Sequence, residues 1–338
     1  MVPLPVWKNL YEAALRFRTL RPWTILDDTQ LVGVQDPLSG EIGYGCCMGN
    51  GGTLFGLCFY RGAAGFDSFL RLVSGEISPE SMDNLFIQDC LKFELGSKSE
   101  LDDEAMAVIQ KLGLAFKGKQ AWPQFQSLLP GYYPWYLDET EARFLTEGLN
   151  GVCHHFQQIQ SGTTTESVRD GEVLVYTPTT DGYASRWGKW PIHRPPPPPP
   201  LEMDYVRVRS LLARGTKPDS PWEAGTFYSP SPVSEGDRPY FPKIALVAQA
   251  SSGFIFNSHL FGPRENDVQS LFEVILGAIE KHGFLPSEIL FSDGRIMTAL
   301  TPLSVALGVR FAQVKTLPAL EEAKEGFIQA FNPKQPRS

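Results

Sequence analysis

Residues 195–200 are six consecutive prolines, PPPPPP. Each ring fixes φ near −65° and removes a backbone donor, so the run belongs to neither a helix interior nor a central strand. As polyproline II it extends about 19 Å as a stiff rod. No single core runs continuously through such a rod, and the chain divides there. Its 338 residues exceed one ordinary domain and fit two. Proline becomes frequent from about residue 177. The expected division is therefore residues 1–176, a proline-rich linker over 177–200, and a second domain over 201–338. The bland reading of the run is a spacer; the sharper one is a ligand for an aromatic-lined groove on a partner protein.

Before the prolines the periodicities are mixed. Trp7, Leu10, Tyr11, Ala14 and Phe17 recur at helical spacing over residues 5–20. TQLVGVQD, IGYGCCMG and TLFGLCFYRG read as strands joined by PLSGE and by GNGG, with a tight hairpin at Asn50-Gly51, and so as an antiparallel β-meander. A helix over 65–73, a strand in LFIQDCLKFEL and a helix in DDEAMAVIQKLG follow. AFKGKQAWPQFQSLLPGYYPWYL reads as a long loop. A second long helix starts at Asp138, which forms a capping-box pattern with Glu141. GEVLVYTP is a further strand. Strands and helices without βαβ regularity indicate an α+β domain.

After the prolines, residues 204–214 read as a short helix and WEAGTFYS as a strand. Then come KIALVAQ and FIFNSHLF about a Ser-Ser-Gly turn, a helix over 266–282 closed by Gly283, and the strand EILFSDG. LTPLSVALG is a helix, VRFAQVK a strand, and LPALEEAKEGFIQAF a final helix. The order is ββαβαβα, an α/β domain.

A net charge of −8 and a pI near 5.3 argue against a nucleic-acid binder, which usually carries a basic surface. No run of about 18 apolar residues spans a membrane, and the N-terminal segment lacks a signal-peptide pattern, so a cytoplasmic location is expected. The five cysteines, Cys46, Cys47, Cys58, Cys90 and Cys153, have no disulfide-framework spacing and read as buried free thiols rather than metal ligands. The glycines of GYGCCMGNGG precede a strand, not the helix that a phosphate loop requires. Cys153, His154 and His155 are helix neighbours about 100° apart and converge on no common atom.

The pattern VAQASSGFIF, an amphipathic helix, GFLPSEILFSDG, a helix and ALGVRFAQVK resembles a ribonuclease H-like or integrase-like core. That resemblance implies metal-holding carboxylates. Asp293 in FSDG stands where the second would sit, and Glu321, Glu322 or Glu325 would supply the third. Two magnesium ions about 4 Å apart need several such carboxylates. At the first position the hairpin strand carries Gln249, whose uncharged amide bridges no ion pair of this kind, and Ser251, Ser252 and Asn257 do not compensate. The fold is thus expected without its chemistry, and no cofactor is expected outside a magnesium-dependent alternative. The whole chain also resembles a bacterial family of uncharacterised two-domain proteins, through WKNLYEAALRF, DPLSGEIGYGCCMGNGG, WPQFQSLLPGYYPW, WEAGTFYSPSPV, RPYFPKIALV and LPALEEA.

Trp122, Phe125, Tyr132, Tyr133, Trp135 and Tyr136 crowd one proline-pinned segment. They suit either a rigid recognition surface or the sealing of a core. The expectation is a non-catalytic binding or assembly protein that uses aromatic and proline-rich surfaces toward a protein partner. The alternative is a divergent metal-dependent phosphodiesterase built on Asp293 with Glu321 or Glu325.

Overall fold

The structure, a computed structural model, describes residues 2–77, 81–164, 166–214 and 217–331. The chain forms two units. One comprises residues 1–130 and 134–195, the other residues 131–133 and 196–338.

The first unit is a mixed sheet with helices on both faces. In chain order its elements are α1 (Leu4–Leu20), β1 (Leu31–Gln35), β2 (Ile42–Met48), β3 (Gly56–Arg61), α2 (Gly62–Val73) and α3 (Asp83–Ile87). They continue with β4 (Cys90–Gly96), α4 (Asp103–Lys111), β5 (Trp122–Leu128), α5 (Glu139–Gln160), β6 (Val168–Arg169), β7 (Glu172–Thr179) and β8 (Gly182–Lys189). The strand order is β5-β4-β3-β2-β1-β7-β6, with β8 also on β7. The meander forms as expected, with Val34 opposite Gly43 and Cys46 opposite Cys58. Within this sheet, among the described residues, only β1 and β7 pair in parallel.

Helices α1 and α5 bring Leu10, Phe17, Leu145, Leu149 and Val152 onto Val32, Val34, Leu57 and Phe59. On the opposite face α2 packs Phe66 and Phe69 over Tyr44, Cys46, Cys58 and Tyr60. Alternating strand residues feed these two cores. Asp138 caps α5 by accepting from the Glu141 amide at 2.8 Å, and Glu141 returns the bond to the Asp138 amide at 3.0 Å, a reciprocal capping box.

Four expectations change. Leu85–Ile87 belong to α3 rather than to a strand, because the Ser81 hydroxyl accepts the Asp83 amide and starts a turn. The turn between β2 and β3 is a longer loop over 49–55, with Gly52 at φ 74°. Residues 122–128, read as loop, form β5, with Phe125 opposite Phe93; at the sheet edge the missing donor of Pro123 is tolerated. Residues 177–189 complete β7 and β8, so the irregular connection covers only 190–204.

The second unit contains α6 (Tyr205–Ala213), β9 (Lys217–Asp219), β10 (Trp222–Tyr228), β11 (Lys243–Gln249), β12 (Ile255–Phe261) and α7 (Asp267–His282). Then follow β13 (Phe284–Pro286), β14 (Glu288–Phe291), α8 (Gly294–Ala299), α9 (Thr301–Leu307), β15 (Arg310–Gln313) and α10 (Pro318–Phe331). The five-stranded sheet has the order β12-β11-β10-β14-β15. Strands β10, β11 and β12 are antiparallel; β14 runs parallel to β10, and β15 parallel to β14. Helix α7 covers one face over Trp222, Val247 and Ile289, and α10 covers the other over Ile244, Leu246 and Ala248. Strands β9 and β13 make a separate parallel pair.

The expected order ββαβαβα lacked one strand. The stretch WEAGTFYS is the centre of the sheet as β10, and the hairpin β11–β12 lies beside it toward the edge. A central strand flanked by parallel and antiparallel neighbours is buried on both faces, so it carries no alternation that would reveal its rank. No helix among the described residues is long and apolar enough to cross a membrane.

Candidate functional site

Strand β10 sets the frame for the acids. Trp222 lies opposite Ile289 and Glu223 opposite Leu290, so continuing that register places Thr226 level with Asp293. Gln249 pairs with Trp222, at the other end of β10. Gln249 therefore lies on the strand beside β10, at the end of the sheet away from Asp293. The side chain has a local task instead. Its Nε2 donates to Ser220 Oγ at 2.8 Å and to Asp219 Oδ1 at 3.3 Å, and its Oε1 accepts from Ser252 Oγ at 2.5 Å. Asp219 Oδ2 also accepts from Trp222 Nε1 at 2.8 Å. Gln249 thus ties the start of β10 to the hairpin turn, using both donor and acceptor halves of the amide.

Asp293 caps α8. Its Oδ1 accepts the Arg295 amide at 2.8 Å and its Oδ2 the Arg295 guanidinium at 3.3 Å. Burial alone would raise this carboxyl, but those bonds outweigh it and hold the pKa below the usual aspartate value. The level of Asp293 on β10 is occupied by Gly225 and Thr226, neither of which carries a carboxylate.

The acid that sequence reasoning missed is Glu223, 2% exposed on β10. Its Oε2 accepts the Leu320 amide at 3.1 Å, at the start of α10. Burial raises its pKa, against amide bonds from Leu320 and Ala319 that lower it. Residue type and strand position were visible in WEAGTFYS; the helix end that it caps was not. Glu321, Glu322 and Glu325 lie on the exposed face of α10. Glu321 is close enough to Glu223 to raise its pKa, and Glu322 borders the Gly253 turn. Both are at the Trp222–Glu223 level, roughly 10 Å of strand from Asp293. Among the described residues no three His, Cys, Asp or Glu side chains gather into a group able to hold a metal.

The six aromatics divide between the two units. In the first unit Phe125 packs on Tyr11 at 5.1 Å and on Phe93 at 5.7 Å, and Trp122 packs on Phe116 at 5.4 Å. The Trp135 backbone bonds Ser127 in both directions, while the Tyr136 hydroxyl donates to Asp102 at 2.7 Å. In the second unit Tyr132 bridges Tyr240 through the backbone, with the Arg238 guanidinium 5.5 Å from its ring. Tyr133 lies 6.0 Å from Phe241. Four of these rings seal or edge one unit and two belong to the other.

All five cysteines are free and buried. Burial pushes the Cys153 thiol up to about 12, which removes it as a nucleophile at neutral pH. His155 is fully buried, its Nδ1 2.9 Å from the Tyr176 hydroxyl, and His154 stacks on Tyr183 at 4.6 Å. Arg61 carries a part-buried polar network. It donates to Asp89, to Glu141 and to the Leu128 carbonyl, each at 2.6 Å, and Glu141 also accepts from Ser127 Oγ. That network fastens β3 and β5 to the start of α5.

Three comparisons bear on kinship. Residues 207–328 match the family model described as domain of unknown function DUF6930. Comparison with curated proteins finds no match. Among solved structures the chain is similar to the HTLV-2 integrase catalytic core domain in complex with magnesium (trimeric form). The identity is 13%, over 36% of this chain and 80% of that one, with a TM-score of 0.26, too loose a likeness to carry an argument. Residues 7–176 match the model described as domain of unknown function DUF7309. That match covers half of the 338 residues, and the chain belongs to the DUF7309 family.

Proposed function

We propose that the protein is a non-catalytic binding or assembly protein whose second unit is a ribonuclease H-like scaffold. The fold reading is supported by three antiparallel strands followed by two parallel ones, in the order β12-β11-β10-β14-β15, with helices on both faces. The functional reading is carried by how the acids are used. Glu223 caps α10, Asp293 caps α8, and the α10 glutamates face solvent at a different level of the sheet. A two-magnesium site needs several carboxylates around ions about 4 Å apart, and the donor set at Asp293 does not fit one. Its nearest charged neighbour is the Arg295 cation, which repels a metal.

The test is cleavage of single-stranded DNA, duplex DNA and RNA–DNA hybrid by the full chain, with magnesium or manganese. The expected result is no cleavage above that of an Asp293→Ala chain. Metal-dependent cleavage abolished by Asp293→Ala would establish the phosphodiesterase alternative instead.

A further inference from the structure

We propose that Arg194–Pro200 is a docking peptide for a partner protein module with a polyproline II groove. The proposal rests on the reading of the chain as a binding protein and names the class of partner. Residues 191–204 form no helix or strand. Arg194 and Pro195, Pro196, Pro197, Pro199 and Pro200 are exposed, with Pro198 half-buried, and Ile192 just upstream is 76% exposed.

Polyproline II repeats every three residues, so Pro195 with Pro198, and Pro197 with Pro200, share ridges of the rod. A groove walled by aromatic rings receives such ridges, and the rings of proline enter it with little conformational entropy left to lose. The rod is nearly symmetric end to end, so a groove needs a charged flank to fix its direction. Here the flanks differ: Arg194 stands at one end and Glu202, also exposed, beyond the other. The complementary module therefore carries an acidic side chain at the Arg194 end of its aromatic groove, where a guanidinium pairs with a carboxylate in fork geometry. A plain spacer needs stiffness and length, but neither the exposed rings nor the asymmetric charge.

Calorimetric titration of the full chain with a purified SH3, WW and EVH1 domain tests this. At least one should bind one-to-one with Kd on the order of 10 to 100 µM. Replacing residues 195–200 by Gly-Ser-Gly-Ser-Gly-Ser, with an unchanged circular dichroism spectrum, should weaken that binding at least tenfold, and Arg194→Glu should weaken it severalfold. Failure of all three domains to bind, or binding that survives the Gly-Ser replacement, overturns the proposal. A chain that binds none of them and cleaves no nucleic acid loses this docking peptide but keeps the binding-protein reading. Metal-dependent cleavage removes that reading instead.

Discussion

Glu223 occupies the central strand with almost none of its surface exposed, and its carboxylate receives the first free amides of α10. Removing it by Glu223→Ala leaves buried donors unpaired and should cost about 1–3 kcal/mol in denaturant unfolding. Glu223→Gln keeps an acceptor oxygen and removes the charge. Because burial raises the folded pKa above the unfolded one, the native state holds this proton more tightly. Its contribution to stability is present at low pH and falls as pH rises through the window between the two values. The Gln variant should lose that part of the pH dependence.

His155 has the opposite sign. Burial first, and His154 second, lower its pKa to about 4, so the unfolded chain binds the proton more readily. Stability is complete above about pH 6.5 and should fall by about 1.4 kcal/mol per pH unit toward pH 4. His155→Gln, which retains a partner for the Tyr176 hydroxyl, should flatten that slope in acid titrations followed by circular dichroism. An unchanged slope would place the acid sensitivity elsewhere.

Among the elements, α5 depends on glycines that helix propensity disfavours. A Cβ at Gly151 would lie 2.4 Å from Val34 Cγ2, and one at Gly148 2.8 Å from Phe59 Cδ2. Gly151→Ala should therefore destabilise the first unit by about 1–3 kcal/mol, although alanine in a free helix gains about 1 kcal/mol over glycine. A raised thermal midpoint would contradict the close approach of α5 to the sheet. The helices were legible where a cap or a stop residue stood beside an apolar stripe, as at Asp138, Gly283 and Gly308, with the glycines at φ 68° and 66°. Strand β5 was hidden by its proline and aromatics, and α3 by apolar residues too few to display a period. The rank of β10 was hidden for a different reason. Which strand is central depends on parallel pairing with β14, more than sixty residues away, and local pattern carries no trace of it.

For the whole molecule, a mixed α/β architecture was readable from the chain. The candidate site was readable only in part. The expectation of a scaffold without its metal site began at Gln249, which pairs with Trp222 at the end of β10 away from Asp293. The proposal of a binding scaffold leans instead on Glu223 and Asp293, whose carboxylates accept backbone amides at the starts of α10 and α8. It follows that Gln249→Asp restores no carboxylate beside Asp293, since position 249 lies at the other end of β10.

The most direct measurement is calorimetric titration of the full chain with manganese. No saturable binding is expected, either in the natural chain or in Asp293→Ala. Saturable binding by the natural chain that disappears in Asp293→Ala would contradict that expectation.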